Sequence, residues 1–232
     1  MRMIEKAIKV AAIAHKNQKR KGTEIPYITH PYAVGMILAQ AGCNEEVIVA
    51  GILHDTIEDT EIDIHYIARE FGSNVALIVE GCSEPNKELT WEERKKHTIL
   101  YLKTAHDEVK MVASADKLHN LRCMNEDYRQ LGEDLWSRFQ CGRIDQEWYY
   151  RNLLKSLSFV PTILLNELIY EFDQLFSTDV KLVISDEHSA IMNGDLKDRF
   201  RYQIEQAKEE RNMWQHQIDR YEQELACLEK FE

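Results

Sequence analysis

The stretch Ala50-Gly51-Ile52-Leu53-His54-Asp55-Thr56-Ile57-Glu58-Asp59-Thr60 decides how this chain folds and what it can do. An apolar run ends in a His-Asp pair, and a second acidic pair follows four residues on. The run from Val47 to Leu53 is far below the ~20 residues that span a bilayer. It reads instead as part of a largely buried helix from Glu45 to about Glu58. Burying Asp55 without a partner is costly, so the position asks for a cation or strong hydrogen bonds. Adjacent helix positions project about 100° apart, so His54 and Asp55 converge only on a target lying off the helix side, such as a metal held between helices. His30, in Ile28-Thr29-His30-Pro31, and Asp116, in Ala115-Asp116-Lys117-Leu118-His119-Asn120, come from two neighbouring helices. Two imidazoles and two carboxylates suit one divalent metal with room left for water or substrate. His119 reads as a supporting residue beside that set.

Outward from this stretch the rhythm stays helical. Ile4, Ala7, Ile8, Ala11, Ala12 and His15 mark an amphipathic first helix. Gly22 and Pro26 punctuate a loop, and Pro31 suits the first turn of a helix running to about Gln40. Short helices are expected from about Ile62 to Phe71 and from about Ser73 to Cys82, separated by Gly72. Thr90-Trp91-Glu92-Glu93 matches a capping box that starts a helix to about Thr104. Asp107 is expected to cap the helix that carries Asp116, and residues 125–143 look irregular. A long helix follows from about Asp145 to Phe176, broken or kinked at Pro161. Strand alternation is unconvincing except around Val180–Ile184.

These elements divide the chain into a helical domain, 1–178, a linker, 179–195, and a heptad-patterned helix, 196–232. Ile204, Ala207, Arg211, Trp214, Ile218, Tyr221, Leu225 and Leu228 form the heptad seam. That helix is read either as folding back on its own domain or as a coiled coil making a homodimer. Arg211 interrupts a perfect zipper.

The second acidic pair, Glu58 and Asp59, lies one helical turn beyond the expected ligands and shares their faces. Beside a metal it is suited to orienting and deprotonating water and to carrying a proton to a leaving group. Arg20 and Lys21 form a basic cluster ahead of His30, suited to a substrate phosphate or to stacking on a base. Arg94, Lys95 and Lys96 form a second such cluster, while Tyr149 and Tyr150 read as packing residues.

Composition narrows the partners. The formal net charge is −11 with no polybasic block, which argues against a non-specific grip on nucleic acid. Five cysteines form no CxxC motif, and residues 1–20 do not pattern as a signal peptide. With no membrane-length apolar run, a reducing, cytoplasmic location is expected.

Several stretches, taken together, resemble the HD-domain metal phosphohydrolases. The resemblance is narrower to the hydrolase domain of RelA/SpoT homologues and the stand-alone small alarmone hydrolases. They are Ala14-His15-Lys16-Asn17-Gln18-Lys19-Arg20-Lys21-Gly22, Pro26-Tyr27-Ile28-Thr29-His30-Pro31, Leu53 to Thr60, Phe71-Gly72, and Ala115 to Arg122. The resemblance covers roughly residues 1–160. It implies an all-α HD-domain bundle and one metal ion, usually manganese (iron or another divalent ion being compatible), on His30, His54, Asp55 and Asp116. It also implies catalysis by Glu58 and Asp59, and nucleotide contacts from Arg20, Lys21 and Asn120. The implied reaction removes the 3′-pyrophosphate from guanosine tetra- or pentaphosphate. Trp91 stands where stand-alone alarmone hydrolases carry a basic residue, and Trp148-Tyr149-Tyr150 stand where they carry an Arg/Tyr pair. The alternatives are a related hydrolase of another phosphorylated nucleotide and a non-catalytic nucleotide-binding regulator.

Overall fold

The computed structural model describes residues 2–84, 88–157, 160 and 162–176. The linker, the Val180–Ile184 stretch and the heptad helix lie outside the described residues. Among those described, the regular structure is helical: α1 (Arg2–Ala14), α2 (Thr29–Gln40), α3 (Glu45–Leu53), α4 (Thr56–Asp59), α5 (Ile64–Phe71) and α6 (Ser73–Cys82). They continue with α7 (Trp91–Thr104), α8 (Asp107–Leu131), a 3-10 segment (Gly132–Arg138), α9 (Arg143–Ser156) and α10 (Thr162–Phe176). One isolated antiparallel bridge joins Lys19 to Pro26.

Local chemistry accounts for most of the boundaries. Asn44 caps α3 by accepting from the Val47 N–H, and Asp63 caps α5 through the Tyr66 N–H. Gly72, at φ 95°, makes the turn between α5 and α6 that a side chain would oppose. Thr90 and Glu93 form the reciprocal capping box expected at α7.

Three expectations are corrected. The helix read as continuous from Glu45 to Glu58 stops at Leu53 and restarts at Thr56. There the Thr56 hydroxyl donates to the Leu53 carbonyl at 2.6 Å and His54 Nδ1 lies 2.8 Å from the Gly51 carbonyl. Both side chains take helix-end carbonyls and so compete with helix propagation. Asp107 is the first residue of α8, and His106 holds the cap position without a side-chain bond. The segment read as irregular from 125 onward is helical to Leu131, then 3-10 to Arg138. Its polar sequence lacks apolar periodicity, but Asn125 donates to the Glu171 carboxylate and carbonyl at 2.7 and 2.9 Å, tying α8 to α10.

The core gathers around α8, which packs on α2, α3, α6 and α10. Val112, Ala115, Leu118 and Leu121 are fully buried on it. On the helices it packs against, Val34 and Leu38 of α2, Val49 and Leu53 of α3, and Leu168 and Phe172 of α10 are likewise buried. Each large apolar side chain so covered contributes ~1.5–3 kcal/mol. Asp116 and Asn120 share α8 with these anchors, so the core fixes their position. The loop before α2 folds tightly around Gly22, at φ 73°. Arg20 N–H donates to the Ile25 carbonyl at 2.8 Å and Tyr27 N–H to the Gln18 carbonyl at 2.9 Å.

Candidate functional site

His30 enters from the first turn of α2, His54 and Asp55 from the break between α3 and α4, and Asp116 from α8. The donor atoms of His30, His54 and Asp116 all lie within 4.8 Å of one another. His30 Nε2 is 3.1 Å from Asp116 Oδ1 and 3.6 Å from Asp55 Oδ2. His54 Nε2 is 3.0 Å from Asp55 Oδ2 and 3.9 Å from Asp116 Oδ1. At the break His54 and Asp55 keep right-handed helical backbone angles, and their side chains meet at a point lying off the helix side. All four expected ligands are therefore brought together.

Their surroundings fit a divalent cation. The Gly51 carbonyl can only accept, so His54 carries hydrogen on Nδ1 and turns Nε2 toward the cluster. His54 Nε2 is buried without a hydrogen-bond partner: Asp55 lies close, but not in hydrogen-bonding alignment. His30 Nδ1 sits 2.8 Å from His119 Nδ1, an outer contact of the kind that would orient an imidazole toward a metal. Tyr27 donates to Asp55 Oδ2 at 2.7 Å, Asn120 to Asp116 Oδ1 at 2.6 Å, and Lys117 to Asp116 Oδ2 at 2.6 Å.

The electrostatics are those of a cluster short of positive charge. Burial lowers the His54 imidazole, but Asp55 and Asp116 outweigh burial and lift it to about 9. Burial raises Asp55, yet His54 and His30 hold it well below the usual carboxylate range. Burial dominates at His30 and lowers it. His119 is lowered to about 4 by burial, His30 and Arg20. Divalent-ion binding would displace the His54 proton.

Two cavities lie near the cluster, one bordered by Tyr27, Lys117 and Asn120, which donate to its carboxylates, the other by its own His54 and Asp116. One, of about 600 Å³, is lined by Arg20, Lys21, Lys95, Lys117, Asn120 and Arg138. The expected nucleotide contacts thus share one basic wall, with Arg20 donating to Asn120 Oδ1 at 2.9 Å. The other, of about 560 Å³, reaches His54, Glu84, Asp116 and Lys117. Lys117 borders both. Glu58 and Asp59 lie on α4, beyond the break, and line neither of these two cavities. Glu58 Oε2 accepts from the Glu84 N–H at 3.2 Å. Burial raises the Glu58 carboxyl, reinforced by Asp59, Glu84 and Asp55 and opposed by that N–H.

Tyr149 and Tyr150 are buried among aromatic rings, as expected, yet both also border the basic cavity. Arg94 and Lys95 turn to Glu84, and Lys96 pairs with Glu92 on the same helix. Tyr27, Lys117 and Glu84 escaped the sequence reading. The available signals were Tyr27 three residues before His30 and Lys117 next to Asp116; for Glu84 there was none.

The HD-domain family pattern matches residues 7–145. The chain is 42% identical over 127 residues to a GTP pyrophosphokinase of Streptomyces coelicolor, covering 53% of this chain and 15% of that protein. It is 40% identical over 121 residues to guanosine-3′,5′-bis(diphosphate) 3′-pyrophosphohydrolase MESH1 of Danio rerio, covering 51% of this chain and 67% of the relative. Among solved structures it resembles a metazoan orthologue of SpoT, described as hydrolysing ppGpp and playing a role in starvation responses. That likeness has a TM-score of 0.65 at 26% identity, covering 75% of this chain and 96% of the other. A Listeria monocytogenes EGD-e structure matches with a TM-score of 0.60 at 37% identity, covering 64% and 99%. The chain thus spans only a small part of the Streptomyces relative. No described helix is long and apolar enough to cross a membrane. Divalent-metal binding goes with the HD domain, and the His/Asp group described above offers it a place. The family pattern covers more than half of the sequence, on a helical frame shared with solved relatives: this chain belongs to the HD-domain family.

Proposed function

We propose that this chain is a manganese-dependent phosphohydrolase that removes the 3′-pyrophosphate from guanosine tetra- or pentaphosphate. The observation that carries this reading is the convergence of two imidazoles and two carboxylates beside a basic cavity of about 600 Å³. The names of the zebrafish relative and the SpoT orthologue support the choice of substrate. His30, His54, Asp55 and Asp116 hold the ion. When bound, a divalent cation supplies Lewis acidity to phosphoryl transfer onto water.

The remaining work belongs to the chain's own side chains. Arg20 and Lys21 meet the base and phosphates, and Asn120 keeps Arg20 and Asp116 in register. Glu58 takes a proton from the attacking water and returns one to the departing ribose 3′-oxygen, as the P–O3′ bond breaks and the released pyrophosphate carries the water oxygen. Asp59, on the same short helix, orients that water. The heptad segment, 196–232, is proposed to pair two copies of the chain.

A second reading keeps the chemistry and changes the nucleotide. Trp91 borders the basic cavity, with its ring 6.1 Å from Tyr149 and 6.3 Å from Trp148. An aromatic wall accepts any base face. The deciding experiment incubates the chain with manganese and a panel of phosphorylated nucleotides, measuring pyrophosphate separately from phosphate. Guanosine tetraphosphate should release pyrophosphate. His54→Ala should lose both bound manganese and turnover, and Asp59→Asn should keep manganese but slow by ~10²-fold or more. Turnover by metal-free His54→Ala protein would refute the assignment. Release from another nucleotide alone would select the second reading.

A further inference from the structure

Lys95, in the first turns of α7, borders the basic cavity, where it would be expected to offer positive charge to a phosphate; Arg94, next to it in sequence, lines neither of the two cavities. Both are committed elsewhere. The Glu84 carboxylate takes Arg94 Nη1 on Oε2 and Lys95 Nζ on Oε1, the latter at 2.6 Å. All three side chains are mostly buried, with 14–21% exposure. Burial raises the Glu84 carboxyl, but Lys95 and Arg94 more than reverse this and hold it below its ordinary value.

The position of this triad matters more than its strength. Lys95 lines the cavity that holds Arg20 and Asn120. Glu84 lines the cavity that reaches His54 and Asp116. The Glu84–Lys95 pair therefore lies on the boundary between the nucleotide side and the metal side. The Glu84 backbone N–H also donates to Glu58 Oε2 at 3.2 Å, so a shift of Glu84 is felt at the proposed proton carrier.

We propose that Glu84 is a placeholder anion, holding Arg94 and Lys95 until the pyrophosphoryl group of the substrate displaces it. This rests on the hydrolase reading above. Two partly buried cations left unpaired are destabilising, so the empty site needs an internal anion. A pyrophosphoryl group brings more charge and more acceptor oxygens than one carboxylate, and forms stronger charge-assisted bonds to Arg and Lys. Exchange of one anion for the other thus favours entry of a polyphosphate over a monophosphate. It also retunes Glu58 when substrate is present.

The probe is inorganic pyrophosphate, titrated calorimetrically into the full chain with manganese present. Glu84→Gln keeps size and hydrogen bonding but removes the competing charge. It should bind pyrophosphate at least fivefold more tightly, while inorganic phosphate gains less. The gain should vanish in the Glu84→Gln/Lys95→Gln double variant, because the competition is for Lys95. If Glu84→Gln does not fold, Glu84→Asp retains the charge and withdraws it by one methylene, and should show a smaller gain. Unchanged or weaker pyrophosphate binding in the folded variant overturns the placeholder and makes Glu84 a fixed positioner of the two cations. Hydrolysis of guanosine tetraphosphate without that gain sinks the placeholder alone; the gain without hydrolysis sinks the hydrolase reading alone.

Discussion

Glu58 sits in surroundings that resist its negative charge. Burial and three nearby carboxylates raise it, and one N–H from Glu84 partly offsets them. The sign of the stability effect follows. The folded-state value is above the unfolded one, so the ionised form destabilises the fold at neutral pH, and that penalty is relieved as pH falls through the raised value. Glu58→Gln should therefore raise the neutral-pH melting temperature by about 1–2 °C, a modest gain because the group is part-solvated. The gain should fade on acidification, while turnover falls ~10²-fold or more with manganese still bound. Calorimetry across pH, with parallel metal titration, checks this. An unchanged melting temperature at neutral pH would mean that the carboxylate is fully satisfied by its neighbours. At this scale the grouping of His30, His54, Asp55 and Asp116 was legible because only a few residue types suit a divalent ion. Tyr27 and Lys117 were not: tyrosines and lysines sit on many surfaces, and only the fold turns these two onto Asp55 and Asp116.

Between elements, α2 and α3 approach closely at two glycines. A Cβ built at Gly35 would lie 2.5 Å from Ile52 Cγ1, and one at Gly51 would lie 2.3 Å from Leu38 Cδ1. Ile52 and Leu38 are buried and have little room to move. Gly→Ala in a helix ordinarily stabilises by about 1 kcal/mol. Gly35→Ala should do the reverse, destabilising by about 1–3 kcal/mol through overpacking. It should also weaken manganese binding, because α2 carries His30 and α3 leads into His54. Urea unfolding together with metal titration reads both effects, and stabilisation by Gly35→Ala would show that the helices can separate freely. The limits of α6 and α7 were readable because Gly72 and the Thr90 capping box act locally. The break at His54-Asp55 was not, because it depends on which carbonyls the His54 and Thr56 side chains take. The end of α8 was hidden for a different reason: Glu171, far along the chain, supports it.

Across the whole molecule, acidic residues prevail, at a net charge of −11, yet cations crowd one cavity beside the His/Asp cluster. That cluster draws on α2, the α3–α4 break and α8, so an ion held there ties together segments far apart in sequence. Binding to the folded state alone adds stability by mass action, about 2.7 kcal/mol at a hundred times the dissociation constant. For a chain of this size that is a rise in melting temperature of about 5–10 °C. Manganese should produce this rise in the chelator-treated protein, and excess chelator should reverse it. The four ligands should act as a unit, so His54→Ala and Asp116→Ala should each abolish the rise. Arg20→Ala, on the nucleotide side, should keep it and lose substrate affinity instead. This contrast separates an ion at the cluster from one bound loosely to the acidic surface, which would stabilise all three variants alike. A manganese response surviving in His54→Ala would place the ion elsewhere and leave the convergence of the two imidazoles and two carboxylates without its proposed purpose.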